Sequence, residues 1–242
     1  MNILVLHKIV EGAPVNWEDV SLNFFTEIVQ FIKYRNLEVT SISNWKNNNS
    51  GNIVFTFDDG FSSDFELVFP ILKEMGMSAT FFIVPNFVGT EGYMTWENIK
   101  QLSDAGMEIA SHSCTHQYFS TLNEEEIFDE LKNSKNTIEK IIGKDVDSFA
   151  YPYGNYSLKS NQIASKAGYK NICNSMPGLG RLNSTLISRN SIHSNLNSSN
   201  IEKFIFPSQY SLAIQKFGYS IRSGIKKTIG INNYLKLKEL IY

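Results

Sequence analysis

Several things are scarce in this chain of 242 residues. It has two cysteines, Cys114 and Cys173, too few for a disulfide framework, so a reduced compartment is the default expectation. Its uninterrupted apolar runs are only a few residues long, and none can span a bilayer as a helix. Charge of one sign is not in excess: 22 Lys and Arg stand against 24 Asp and Glu. That balance excludes the basic surplus of a nucleic-acid binder. Repeats and low-complexity blocks are absent beyond the Asn/Ser-rich "HSNLNSSN". The opening stretch "MNILVLHKIVEGAP" lacks both a basic leader and a long apolar core. It reads as a first strand rather than an export signal, and a cytoplasmic enzyme is the expectation.

What remains is an ordinary globular composition, 42% hydrophobic and 13% aromatic. Short apolar runs alternate with helical patterns, the mark of repeated βα units. Strands are expected at residues 3–6 and 53–57 and in "LEVTSIS", "SATFFIV", "MEIASH", "DSFAYP", "NICNS" and "LISRNSIH". Ser21 can cap a helix with Phe24, Phe25, Ile28, Phe31 and Ile32 on its apolar face. A second helix covers residues 65–75, despite Pro70, and stops at Gly76. Thr95 caps a third through Asp104. Thr121 with Glu124 forms a capping box for a long helix ending near Gly143. Asn155 caps another that ends at Gly168, and "NWKNNNSGN" reads as a polar loop. About seven strands with helices between them imply an α/β fold, a distorted (β/α)7-type barrel in one domain over residues 1–205. A basic helical extension follows over residues 206–242. It carries Lys216, Arg222, Lys226, Lys227, Lys236 and Lys238 against Glu202 and Glu239. Such a tail either packs on the barrel with a solvated basic face or makes peripheral contact with an anionic membrane.

The chemistry begins at "FTFDDGFSSD". Asp58 and Asp59 lie where a strand runs out, the end of a parallel βα array that faces ligands. Gly60 permits a turn sharp enough to bring both carboxylates to one site. Adjacent carboxylates are tolerable there if a cation binds one and a proton goes to the other. In "SHSCTH", His112 and His116 sit at another strand end. Ser113, Cys114 and Thr115 between them are poor helix formers, so a turn that folds both imidazoles toward one point is expected. Two His and one Asp with open positions form a known type of catalytic divalent-metal site.

Taken together, "TFDDG" (56–60), "HSCTH" (112–116) and "YPYG" (151–154) resemble the motifs of polysaccharide deacetylases of the NodB-homology type, carbohydrate esterase family 4. "ILVLHKI" and "MTWENIKQLSDAGMEIASH" are also similar to that family, and the likeness covers about residues 1–200. The resemblance implies a metal-dependent hydrolase of the N-acetyl amide on a sugar, with metal-bound water as nucleophile. Asp59, His112 and His116 would hold a divalent metal, usually Zn2+. Asp58 would be the general base, and the backbone N–H of Tyr153, aimed by Pro152, would face the oxyanion. The family's general acid is a histidine on a late strand, which here implies His193.

Two departures stand out. Many members carry an arginine that orients the base two residues before the motif-three proline; this chain has Ala150. Arg189, four residues before His193, either reaches Asp58 in its place or is a surface arginine. The family's fourth motif, with its tryptophan, has no clear match, and "MPGLGRLN" occupies that region. Tyr151 and Leu179 are candidates for walling in the substrate's acetyl group, and Tyr93 and Trp96 for stacking on sugar rings. Cys114, between the two histidines, reads as a bystander. Two rival functions remain open: a catalytically dead carbohydrate-binding module on the same fold, and a hydrolase of a non-sugar amide.

Overall fold

The structure is a computed structural model and describes residues 1–229. Lys236 and Lys238 of the expected extension lie outside the described residues.

The chain opens with β1 (Asn2–Leu6), buried at all five positions, as a strand covered on both faces must be. A short parallel pair, β2 (Ile9–Val10) and β3 (Val20–Ser21), brackets a loop that holds Trp17. Ser21 caps α1 (Leu22–Tyr34), its side chain accepting from the Phe24 N–H, and Phe24, Phe25, Ile28, Val29 and Ile32 are buried. The expected second strand shrinks to β4 (Val39–Thr40). Much of the expected polar loop after it is helical, as α2 (Ile42–Asn48). Ser41 caps this helix, and burial of Ile42 and Trp45 stabilises it despite the run of asparagines.

β5 (Ile53–Phe57) delivers the two aspartates. The helix after it begins as a π-turn, Asp64–Val68, before α3 (Phe69–Glu74). Pro70 sits in the first turn of α3, where its missing N–H does least harm. Then come β6 (Thr80–Ile83), α4 (Trp96–Asp104) and β7 (Glu108–Ser111), with Thr95 and Asn98 forming the capping box of α4. The cap of α5 (Glu124–Ile142) is Asn123 paired with Glu126, two residues beyond the expected box. Thr121 instead ends the 3₁₀ turn Phe119–Thr121, pinned by buried Phe119. After β8 (Ser148–Ala150), Ser157 rather than Asn155 caps α6 (Leu158–Lys166). The Asn155 side chain accepts from the Ser120 N–H at 2.8 Å and ties two loops together. β9 (Asn171–Cys173) follows, and the expected last strand is split into β10 (Leu186–Ile187) and β11 (Asn190–Ser191). The short α7 (Ile201–Ile205) and the long α8 (Gln209–Ile229) close the described chain.

All pairings within the main sheet are parallel, in the order β10-β9-β8-β7-β6-β5-β1-β11, with β4 on β5. Nine strands form this sheet, and with the separate pair β2 and β3 the described residues hold eleven where about seven were expected. The two end strands are consecutive in sequence, separated only by Ser188 and Arg189. The sheet thus curls into a distorted α/β barrel whose seam is bridged by the chain itself. Its interior is a small apolar layer with one residue from most strands: Ile3, Val54, Phe82, Ala110, Ala150, Cys173 and Ile187. Trp45 and Ile42 of α2 join this layer. The larger apolar layer lies between sheet and helices. The strand C-terminal ends are left free for chemistry.

Candidate active site

Along β5, Val54, Thr56 and Asp58 share one face, toward the barrel interior. Asp59 would point outward on a straight strand. It reaches the same site because its own backbone is left-handed, with φ of 76°, followed by Gly60 at 78°. A non-glycine residue in that region is strained, and such strain gathers at functional sites. Ser113 (φ 64°), His116 (60°) and Tyr153 (57°) share the same conformation around the same mouth.

Asp58 is almost fully buried and bound by Arg189, which is wholly buried. The guanidinium donates from both terminal nitrogens, Nη1 to Oδ1 at 2.6 Å and Nη2 to Oδ2 at 2.7 Å. It also donates to Thr56 Oγ1 and, through Nε, to the Asn174 carbonyl, and it stacks 5.1 Å from the Phe82 ring centre. Of the two expectations for Arg189, it reaches Asp58 and is not a surface arginine. Burial opposes the charge of Asp58, but Arg189 foremost and then His112 hold its carboxyl below the usual range. The break between β10 and β11 is what frees this arginine to turn inward at the seam.

His112 follows β7, and its Nδ1 lies 2.8 Å from the Ala150 carbonyl. A carbonyl can only accept, so Nδ1 carries the hydrogen and Nε2 presents its lone pair. Burial, the largest influence, pushes the imidazole down to about 4, which keeps it neutral at neutral pH. Its Nε2 is 3.4 Å from Asp59 Oδ1, and the His116 Nε2 is 3.2 Å from that same oxygen. Asp59 Oδ1 is buried and makes no hydrogen bond. Burial works against its charge, yet His116 and the imidazoles of His7 and His112 outweigh it and hold the carboxyl below the ordinary range. One donor atom from each of Asp59, His112 and His116 lies within 4.8 Å of the others. An orphaned carboxylate oxygen facing two imidazole nitrogens suits a divalent cation, so the residues fit the metal that the sequence implies.

The turn carrying His116 is held from outside. Glu130 of α5 accepts from the N–H groups of Cys114 and Thr115, both at 2.8 Å through Oε2, and from Thr115 Oγ1 at 2.6 Å through Oε1. Ser113 Oγ accepts from the His116 N–H at 3.1 Å. Cys114 contributes its backbone here and stays outside the ligand cluster. Nothing local in the sequence marks Glu130, because it reaches the turn from the next helix.

Tyr153 lies in the turn Pro152–Gly154. The hydrogen bonds closing that turn use the N–H groups of Gly154 and Asn155, not that of Tyr153. Gly154 is required: a Cβ there would stand 2.7 Å from that of Ser175, at a φ of 63°. The Tyr153 ring is half exposed, 4.6 Å from His116, and stacks on Tyr118 at 3.8 Å. Phe87 contacts His116 at 5.8 Å and Tyr93 at 4.8 Å, and Tyr93 stacks on Phe61 at 5.0 Å. An unbroken run of rings thus borders the acidic centre.

Other expected residues sit elsewhere. Tyr151 is fully buried, its hydroxyl donating to Asn161 Oδ1 at 2.8 Å, so it is a core residue rather than a wall of the substrate site. Pro152 is buried and shapes the turn. Trp96 packs, partly buried, against the outer core, and Leu179 is exposed. His193 stacks on Trp17 at 4.5 Å, its Nδ1 is buried without a hydrogen bond, and burial first, then Arg222, hold its pKa below the ordinary value. Besides His112, the histidine whose charge bears on both aspartates is His7, one residue past β1. The register explains it: β1 pairs with β5, with Leu6 opposite Phe57, which places His7 beside Asp58.

Comparison with known proteins agrees with this geometry. The polysaccharide deacetylase family profile matches residues 46–172. Peptidoglycan-N-acetylmuramic acid deacetylase PdaA of Bacillus subtilis is 30% identical over 125 residues, covering 50% of this chain and 45% of that protein. A peptidoglycan-N-acetylglucosamine deacetylase of Bacillus cereus is 29% identical over 140 residues, 57% of this chain and 63% of that one. The chain spans about half the length of the curated relatives it matches. The structure of the Streptococcus pyogenes deacetylase PplD, in complex with acetate, superposes with a TM-score of 0.78 at 23% identity, over 86% of this chain and 98% of that one, and supports the fold. The chain belongs to the polysaccharide deacetylase family.

Proposed function

We propose that this protein removes the acetyl group from an N-acetylated saccharide by hydrolysis of the amide, and that Asp59, His112 and His116 hold a divalent metal, for which Zn2+ is the ion that best suits the donor set. The observation that carries the reading is the orphaned Asp59 Oδ1 between two imidazole Nε2 atoms, with a separately anchored Asp58 alongside. Such an ion, when bound, acidifies a coordinated water and polarises an acyl oxygen.

The chain's own residues supply the rest. Asp58, kept ionised and oriented by Arg189, accepts the proton of the attacking water with the lone pairs that the guanidinium leaves free. The Tyr153 N–H is a donor for the developing oxyanion. Protonation of the leaving amine needs an acid near both aspartates. His193 was the expectation; the neighbours of His7 make it the better supported donor, with His193 and Trp17 at the groove's edge. The ring platform of Tyr153, Tyr118, Phe87 and Tyr93 supports a sugar substrate over a small apolar amide, because pyranose faces stack on aromatic faces.

The test is acetate release from N-acetylated oligosaccharides and peptidoglycan fragments. It should stop with EDTA, return with Zn2+, and vanish in Asp58→Asn while metal content stays. His7→Gln should lower kcat by about 10²–10⁴-fold, and more than His193→Gln does. Saccharide binding with no acetate release under any metal would replace the hydrolase reading with a binding module.

A further inference from the structure

Tyr153 holds a backbone conformation that a tyrosine does not favour. Its φ is 57°, and that of Gly154 beside it is 63°. A left-handed tyrosine is strained, and it persists only where surrounding contacts over-determine it. Within the barrel, the Gly154 and Asn155 N–H groups donate to the Tyr151 and Pro152 carbonyls, both at 3.0 Å. The Tyr153 ring lies flat on Tyr118, 3.8 Å away at 9°. Asn155 Oδ1 accepts from the Ser120 N–H. One further tie comes from α8: the Tyr219 hydroxyl donates to the Gly154 carbonyl at 3.3 Å, across 65 positions of sequence.

The helix is built to bring that hydroxyl in. At its start, Ser208 Oγ accepts from the Ser211 N–H at 3.1 Å. Leu212 is buried, and the Lys216 stem lies against Gly178. Tyr219 follows Leu212 by two helical turns, so it shares the stripe that faces the barrel. Arg222, one turn further, adds to burial in lowering the pKa of His193. The helix therefore runs along the mouth from the Tyr153 turn toward His193. It lies wholly outside residues 46–172, the span that the family profile matches.

We propose that Tyr219 is a positioning residue of the active site: its hydroxyl, through the Gly154 carbonyl, locks the left-handed turn and so aims the Tyr153 N–H. That N–H is left out of the two bonds that close the turn. A donor to an oxyanion works only while it is aimed, and small misplacements are costly in rate. The effect on rate rests on the deacetylase function proposed above; the clamp on the turn does not. Were Tyr219 a packing residue alone, its ring would suffice and its hydroxyl would be dispensable.

The experiment compares the full chain, supplied with Zn2+, with Tyr219→Phe, which keeps the ring and loses the hydroxyl. Amide hydrogen exchange is followed at Gly154 and Asn155, and kcat and KM are measured for acetate release from a soluble N-acetylated oligosaccharide. Exchange should be about fivefold faster at both amides in the variant, the effect of one hydrogen bond, while protection of β5 and β7 holds. The variant's kcat should fall about tenfold with KM unchanged, because the N–H engages charge that develops only in the transition state. Exchange at both amides equal to that of the wild type would overturn the clamp. An unchanged kcat in an active enzyme, or a change confined to KM, would overturn the positioning role. A wild type that releases no acetate, with exchange still faster in Tyr219→Phe, would leave the clamp standing and remove the deacetylase reading instead.

Discussion

At the residue scale, Asp58 and Arg189 are the pair on which the site turns. Both are buried, and the two parallel hydrogen bonds fix the carboxylate plane. Arg189→Met removes one partner and leaves an uncompensated buried charge, which costs about 3–5 kcal/mol of stability. Denaturant melts of Arg189→Met and of Arg189→Met with Asp58→Asn should show the double variant recovering part of that loss. Equal stability of wild type and Arg189→Met would contradict the assignment. Glu130 acts one step further out, on the backbone of the turn that carries His116. Glu130→Gln keeps the shape but loses an acceptor for those N–H groups. Titration with Zn2+ should show affinity reduced about 10–100-fold, the usual effect of losing an outer partner of a ligand. An unchanged affinity would make Glu130 a surface residue of no consequence to the site.

At the element scale, the π-turn at Asp64–Val68 places Asp64 in a fully buried position where neither carboxylate oxygen finds a hydrogen bond. Burial foremost, then the like charges of Asp59 and Asp58, push its carboxyl well above the ordinary range, toward the neutral acid. Asn has that shape without the acid. Asp64→Asn should therefore shift Tm by less than about 4 °C, or ~1 kcal/mol at this size, by calorimetry. A much larger drop would show that the carboxyl itself is needed.

Strand and helix order was readable from apolar spacing, and Ser21, Thr95 and Gly143 serve as the caps and stop that their types announce. Two caps slipped by two residues, at Asn123 and Ser157, because each region offers two polar candidates and burial of Phe119 decides one of them. The four centre residues were legible because two compact motifs sit at the ends of β5 and β7, one strand apart in the sheet. Arg189, Glu130 and His7 were harder, since their partners lie on other elements: Arg189 is 131 positions from Asp58 and depends on a strand break that no local pattern signals.

At the scale of the whole molecule, a parallel barrel joined at its seam by two residues brings Asp59, His112 and His116 to one point at the strand ends. Three ligands from two segments also couple metal to folding, so chelation should lower Tm in calorimetry, and added Zn2+ should restore it. The same barrel gives α8 a place to lie across the Tyr153 turn, which links the site to that helix.

The central claim is that these three side chains together hold one divalent ion. It is tested most directly by elemental analysis of the purified full chain after saturation with Zn2+ and removal of the excess, alongside Asp59→Asn, His112→Gln and His116→Gln. The account predicts one ion per chain in the wild type and far less in each variant. A wild type that retains none, or variants that retain as much as the wild type, would contradict it.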